Sequence, residues 1–168
     1  MTYQVEPLGG DHDLQSFDCG NDELTEWFIR FAGHATGQGT RTYVLVDEQT
    51  RRVVGYFAIA PHFVEREQVP RRIGRGAPRQ IPAILLAKLA LDRRVQGLGL
   101  GSELLVRALE RIVELARLVG GKLVVVDAID EAAARFYERH DFDVVEGNPS
   151  RLVKKLSTVA AVVGLPWP

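Results

Sequence analysis

Residues 83–119 constrain this chain more than any other stretch. The apolar run at 83–91 reads as a buried strand, and the amphipathic run at 103–119 as a helix. Between them stands Arg94-Val95-Gln96-Gly97-Leu98-Gly99-Leu100-Gly101-Ser102. Glycines let a backbone curl close to a ligand, so several N–H groups can face one anion. The helix that follows adds its unpaired N–H groups and the positive end of its dipole. A P-loop is excluded, because no lysine precedes Ser102. A dinucleotide fingerprint is excluded as well: the spacing is G-x-G-x-G, and position 102 is serine. What remains is an Arg/Gln-x-x-Gly-x-Gly/Ala pattern at residues 94–99. The plain alternative is a glycine-rich connection that holds no ligand.

The rest of the chain supplies a sheet for that turn. Residues 2–8 read as a short strand. Asn21 caps a helix to about residue 35, with Asp22 and Glu23 in its first turn and Leu24, Trp27, Phe28, Phe31 and Ala35 at helical spacing. Residues 41–46 and 53–60 read as a hairpin. Residues 62–82 are polar, basic and broken by Pro70, Gly74, Gly76 and Pro78, which predicts a long loop. A strand at 122–128, a short helix at 131–140 and a closing antiparallel pair at 142–146 and 151–156 follow. Residues 157–168 form a mildly apolar tail, either a partner surface or a disordered end. The economical reading is one α+β domain over residues 1–168, a mostly antiparallel sheet with helices packed on its faces.

Composition bounds the setting. No apolar run approaches the ~18 residues that span a bilayer. The first 13 residues lack the basic and hydrophobic segments of a signal peptide, so none is expected. Cys19 is the single cysteine, which forbids an internal disulfide and fits a reducing cytoplasm. A net charge of −1 gives no global pull toward nucleic acid, yet Arg66, Arg71, Arg72, Arg75 and Arg79 crowd one segment. No metal is expected.

The glycine turn resembles the acyl-coenzyme A pyrophosphate loop of the GNAT acetyltransferase superfamily, and the element order resembles that family from end to end. The resemblance implies an α/β/α layered GNAT fold, with a mostly antiparallel mixed sheet splayed between strands 4 and 5 and helices on both faces. It places acetyl-CoA in the splay, with its pantetheine arm along Leu89, Ala90 and Leu91. Backbone amides of Val95, Gln96, Gly97, Leu98, Gly99, Leu100 and Gly101, with Ser102, then hold the pyrophosphate, and Arg94 or Arg93 pairs with phosphate oxygens. Residues 132–142, Ala-Ala-Ala-Arg-Phe-Tyr-Glu-Arg-His-Asp-Phe, resemble the family's A-x-x-F-Y-x-x-x-G-F segment. That match makes Tyr137 the acid that protonates the departing thiolate and sets Ala133 and Phe136 beside the cofactor, although Phe136 also suits plain packing. Asp141 stands where the family has glycine. Aspartate tolerates a left-handed helix end, so the turn is expected to survive. His62 and Asp92 are the available bases, and both suit structural roles.

A narrower resemblance rests on Phe17-Asp18-Cys19-Gly20-Asn21, the strands at 41–46 and 54–60, the lead-in at 81–92 and Val126-Asp127-Ala128. Together these are similar to the GNAT toxins of type II toxin–antitoxin modules. The resemblance implies acetylation of the α-amine on aminoacyl-tRNA, which blocks translation, and a ribbon–helix–helix antitoxin partner. A homodimer and a cytoplasmic setting are expected, without membrane contact. Arg71, Arg72, Arg75 and Arg79 are candidate contacts to tRNA phosphates, or simply a solvated loop. Two other readings stay open: a GNAT enzyme acting on a small-molecule or protein amine, and a catalytically silent coenzyme A-binding partner protein.

Overall fold

The computed structural model describes residues 2–168; Met1, which the one-domain expectation includes, lies outside the described residues. The chain forms two compact units. One contains residues up to 60 with 87–108, the other residues 61–86 with 109–168. The seven strands belong to one mixed sheet in the order β1-β2-β3-β4-β5-β7-β6. Strand β3 (Val53–Glu65), strand β4 (Gln80–Leu91) and helix α4 (Leu100–Val119) each contribute residues to both units. Among the described residues no helix is long and apolar enough to cross a membrane.

In the first unit, β1 (Tyr3–Pro7) pairs antiparallel with β2 (Arg41–Asp47), and β2 with β3. Two short helices, α1 (Asp22–Glu26) and α2 (Ala32–Thr36), are joined by a π-helical turn at Trp27–Phe31. Asn21 caps α1 as expected, its Oδ1 accepting from the Leu24 amide at 3.0 Å. The widened turn, which helical spacing does not predict, lies where Trp27 and Phe28 both stack on Tyr56, with ring centroids at 5.9 and 4.2 Å. Phe17 meets Phe28 and Tyr56 edge-on, and the Tyr56 hydroxyl donates to the Leu24 carbonyl at 2.7 Å. Removing one such buried ring costs about 3–5 kcal/mol, so this cluster anchors the helical segment to the sheet.

In the second unit, Ala83–Leu86 of β4 run parallel to Leu123–Val126 of β5 (Leu123–Asp127). Strand β5 pairs antiparallel with β7 (Asn148–Lys155), which pairs with β6 (Asp143–Val145). Four consecutive β5 residues are buried, as in an interior strand covered on both faces. Helix α5 spans Glu131–Arg139. On α4, Leu104, Leu105, Ala108, Leu109, Ile112, Val113 and Ala116 are all buried, as the spacing predicts.

Two expectations are corrected. Residues 62–82 are not a long loop: β3 continues to Glu65, a 3-10 turn covers Arg66–Gln68, helix α3 spans Arg71–Gly74 and β4 begins at Gln80. Val64, Val69, Ile73, Ala77 and Ile81 are buried with Leu123, Val125 and Val153 in one cluster. Their irregular spacing among arginines and prolines hides the periodicity that reveals longer elements. The tail is not disordered either, because Leu156–Val163 form helix α6 with Leu156, Val159 and Ala160 buried. Gly164 ends it in the left-handed conformation, at φ 75°.

Candidate active site

The first unit builds the glycine loop on the end of β4. Leu89, Ala90 and Leu91 are the last three residues of that strand, with Ala90 buried and its two neighbours half-buried. The Asp92 amide donates to the Val54 carbonyl at 2.8 Å and ties the strand end to β3. Gly55 makes this close approach possible: a Cβ there would sit 3.1 Å from Leu91 Cδ2 and 3.2 Å from the Ala90 carbonyl oxygen. A 3-10 turn at Arg93–Val95 then leads into the loop.

Gly97 and Gly99 adopt φ of 79° and 80°, with open space where a Cβ would point. An L side chain rarely holds that conformation. Among the described residues no backbone acceptor takes the amides of Gly97, Leu98 or Gly99. Leu100 and Gly101 open α4, where the first N–H groups of a helix lack intrahelical partners. Five successive amides, 97–101, are therefore available to an anion, at the positive end of a 20-residue helix. The amides of Val95 and Gln96 differ from expectation, since they donate to the carbonyls of Asp92 and Arg93 at 3.0 and 3.4 Å. Ser102 lies in the first turn of α4. This cradle fits a pyrophosphate.

Side chains beneath the loop hold its shape. Asp92 is 1% exposed and accepts from the amides of Asp18 and Arg94 at 3.1 and 3.0 Å. Arg94 presents Nε and Nη2 to its two carboxylate oxygens at 2.9 and 3.0 Å, and Nη2 also donates to the Ser16 carbonyl. Burial pushes the Asp92 carboxyl up, but these hydrogen bonds and the Arg94 charge pull it down to about 2. The Arg94 guanidinium, expected on a phosphate, braces the loop through Asp92 and the Ser16 carbonyl. Arg93 pairs with Asp18 at 3.3 Å. The Gln96 side chain donates to the carbonyls of Cys19 and Leu91 at 2.8 and 2.9 Å. Asp18 and Gln96 as struts were missed, because Asp18 meets Asp92, 74 residues away, and Gln96 reaches the Cys19 carbonyl, 77 residues away.

The second unit carries the tyrosine. Asp130 caps α5 through the Ala133 amide at 2.8 Å. Tyr137 is buried, with its ring edge-on to Phe136 at 5.3 Å and to Phe142 at 5.6 Å. Its carbonyl accepts from the amides of His140 and Phe142, and Asp141 takes φ 64° in the turn between, as expected for aspartate replacing glycine. Burial pushes the Tyr137 hydroxyl well above its ordinary value, so it keeps its proton. Ala133 and Phe136 are half-buried on the same helix, and the Phe136 ring also meets His140 at 4.9 Å.

His62 lies on β3, where Arg151 Nη1 donates to its Nε2 at 3.1 Å, and Arg151 forks onto Asp127 at 2.8 and 2.9 Å. Burial first, then the Arg151 charge, lowers its pKa, against a smaller opposing effect of Asp127. Its Nε2 lone pair is spent on Arg151, and Asp92 is spent on the loop. Both groups are structural. The loop arginines divide as well. Arg72 pairs with Asp143, whereas the exposed side chains of Arg71, Arg75 and Arg79 have no partner among the described residues.

Comparison with known proteins extends this geometry. The pattern of the acetyltransferase (GNAT) domain family matches residues 38–144. A tRNA-acetylating toxin of Mycobacterium tuberculosis is 35% identical over 154 residues, covering 90% of this chain and 91% of that protein. A structure of AtaT complexed with acetyl-methionyl-tRNAfMet superposes with a TM-score of 0.87 at 27% identity, covering 96% of this chain and 99% of that one. A tyrosine-to-phenylalanine variant of the AtaT toxin, bound to acetyl-CoA and the C-terminus of the antitoxin AtaR, gives a TM-score of 0.81 at 27% identity over 96% of this chain and 98% of that one. With its glycine loop, parallel β4–β5 pair and element order, this chain belongs to the GNAT acetyltransferase family.

Proposed function

We propose that the protein is the toxin of a type II toxin–antitoxin module, transferring acetyl from acetyl-CoA to the α-amine of aminoacyl-tRNA and so blocking translation. The observation that carries this reading is the 35% identity, over 90% of the chain, with a protein that acetylates tRNA. The acetyl-CoA bound to AtaT and the loop at the head of α4 support the donor. Acetyl-CoA brings an activated thioester. Leu89, Ala90 and Leu91 would hold its arm, and the amides of residues 97–101 with Ser102 would hold its pyrophosphate. The family resemblance assigns Ala133 and Phe136 of α5 to the same cofactor.

Tyr137 keeps the proton at its hydroxyl oxygen and, on this reading, would supply it to the leaving sulfur. Neither His62 nor Asp92 is disposed as a base. A lysine amine, with pKa near 10.4, is more than ~99.9% protonated at pH 7, whereas an α-amine near 7.7–8.0 keeps roughly 10–20% in the free-base form. An enzyme without a dedicated base suits an α-amine. Arg71, Arg75 and Arg79 suit the phosphates of the acceptor, and Arg72 reaches them only by leaving Asp143. The antitoxin C-terminus bound to AtaT supports an antitoxin partner here; the ribbon–helix–helix type is what the family resemblance implies. The whole chain acts as one catalytic domain, as a homodimer in the cytoplasm. Incubation with labelled acetyl-CoA and total charged tRNA tests this reading. Label on the aminoacyl α-amine is expected; label confined to metabolites or protein lysines would overturn it.

A further inference from the structure

A pocket of about 240 Å³ in the second unit joins Arg75, already a candidate phosphate contact, to side chains given no role above. Arg75, Lys122 and Lys155 line it, together with the half-buried Trp167 and with Pro168. No Asp or Glu lines it. Two other pockets in this unit do carry acids: Glu67 and Glu146 in one, Glu138, Asp141 and Asp143 in the other. The side chains that line the Trp167 pocket therefore carry a net positive charge. The side chains of Arg75, Lys122 and Lys155 make no hydrogen bond or ion pair among the described residues. Unpaired like charges around one small cavity repel each other, and a bound anion relieves that repulsion.

The indole adds a second chemistry. A tryptophan lining the same pocket as a cluster of cations is the combination that can hold an unpaired nucleotide, base on the ring and phosphate on the cations. Size narrows the ligand further. Pockets enclosing a whole drug-sized ligand run to roughly 300–1,000 Å³, so this one takes a single unit of a polymer rather than a complete cofactor. Arg75 also lines a second pocket, with Arg66 and Arg71 but also Glu67 and Glu146.

We propose that this pocket binds one unpaired nucleotide of an RNA strand, with its phosphate on Arg75, Lys122 and Lys155 and its base against Trp167. The assignment rests on the reading of aminoacyl-tRNA as acceptor and adds a contact point to it. The test titrates the full chain with deacylated tRNA, and separately with AMP, over a series of KCl concentrations. Trp167→Ala is expected to weaken tRNA binding about tenfold, the size of one lost base stack, with Trp167→Phe recovering most of it. Lys122→Gln with Lys155→Gln, both exposed, is expected to flatten the log–log salt dependence by about 1.5. The lysine pair keeps the test decisive if the tryptophan variant fails to fold. Unchanged affinity and slope in these variants overturn the proposal. AMP binding that depends on Trp167 without any change in tRNA affinity overturns it too, in favour of a mononucleotide site. The acetylation assay run in parallel separates the two readings: unlabelled tRNA defeats the proposed activity, while labelled tRNA with unmoved variants defeats the pocket alone.

Discussion

Arg94 and Arg75 both stand in polar connections, and they are used in opposite ways. Arg94 is folded onto Asp92 and the Ser16 carbonyl, so the loop it belongs to meets an anion with backbone amides. Arg75 is exposed and without a partner among the described residues, so in the proposed function its segment would meet an anion with side chains. The difference teaches how one chain can hold two kinds of phosphate. A fixed amide cradle suits a small ligand of constant shape, because its dipoles need no rearrangement on binding. Exposed guanidinium groups suit a long polyanion, where affinity follows the number of phosphates neutralised.

The largest effect is expected at the chemistry. Tyr137→Phe should lower kcat by roughly 10²–10⁴, the range for loss of a general acid, while acetyl-CoA binding, read by calorimetry, stays within a few-fold. Next, Asp92→Asn should cost about 2 kcal/mol of stability in urea titration, because it releases Arg94 and two amides. The same group gives a pH signature. Its folded pKa of about 2 lies below its ordinary value, so its stabilisation is complete above the ordinary carboxylate range and fades as pH falls toward 2. The variant should show no such loss over that window.

Gly99→Ala should weaken acetyl-CoA binding about tenfold, since alanine at φ 80° carries roughly 1–2 kcal/mol of strain. The smallest effect belongs to the side-chain region. Arg71→Gln with Arg79→Gln should reduce tRNA affinity several-fold at low salt and flatten its salt dependence by about 1.5. Equal losses of acetyl-CoA binding in these two pairs of experiments would erase the contrast between the regions.

Much of this was legible in sequence. The strand–turn–helix at 83–119 carries its periodicity and its glycines in contiguous residues, so both the element types and the donor were readable. Asp141 was readable too, because few residues accept the left-handed conformation that its position requires. The role of Arg94 was not. Nothing adjacent distinguishes an arginine aimed at a ligand from one aimed at Asp92, and the Ser16 carbonyl that completes its clamp lies 78 residues earlier. Helix α6 was lost for another reason: an eight-residue apolar stretch with no side-chain cap looks like a sticky tail until Leu156, Val159 and Ala160 find their core.

The central claim is a division of labour between a rigid amide loop for the donor and unpaired cations for the acceptor. Dissociation constants for acetyl-CoA and for charged tRNA, measured on Gly99→Ala and on the Arg71→Gln, Arg79→Gln pair, test it most directly. The account predicts that the glycine variant loses affinity for acetyl-CoA alone and the arginine pair for tRNA alone. Either variant weakening the other ligand to the same degree would contradict it.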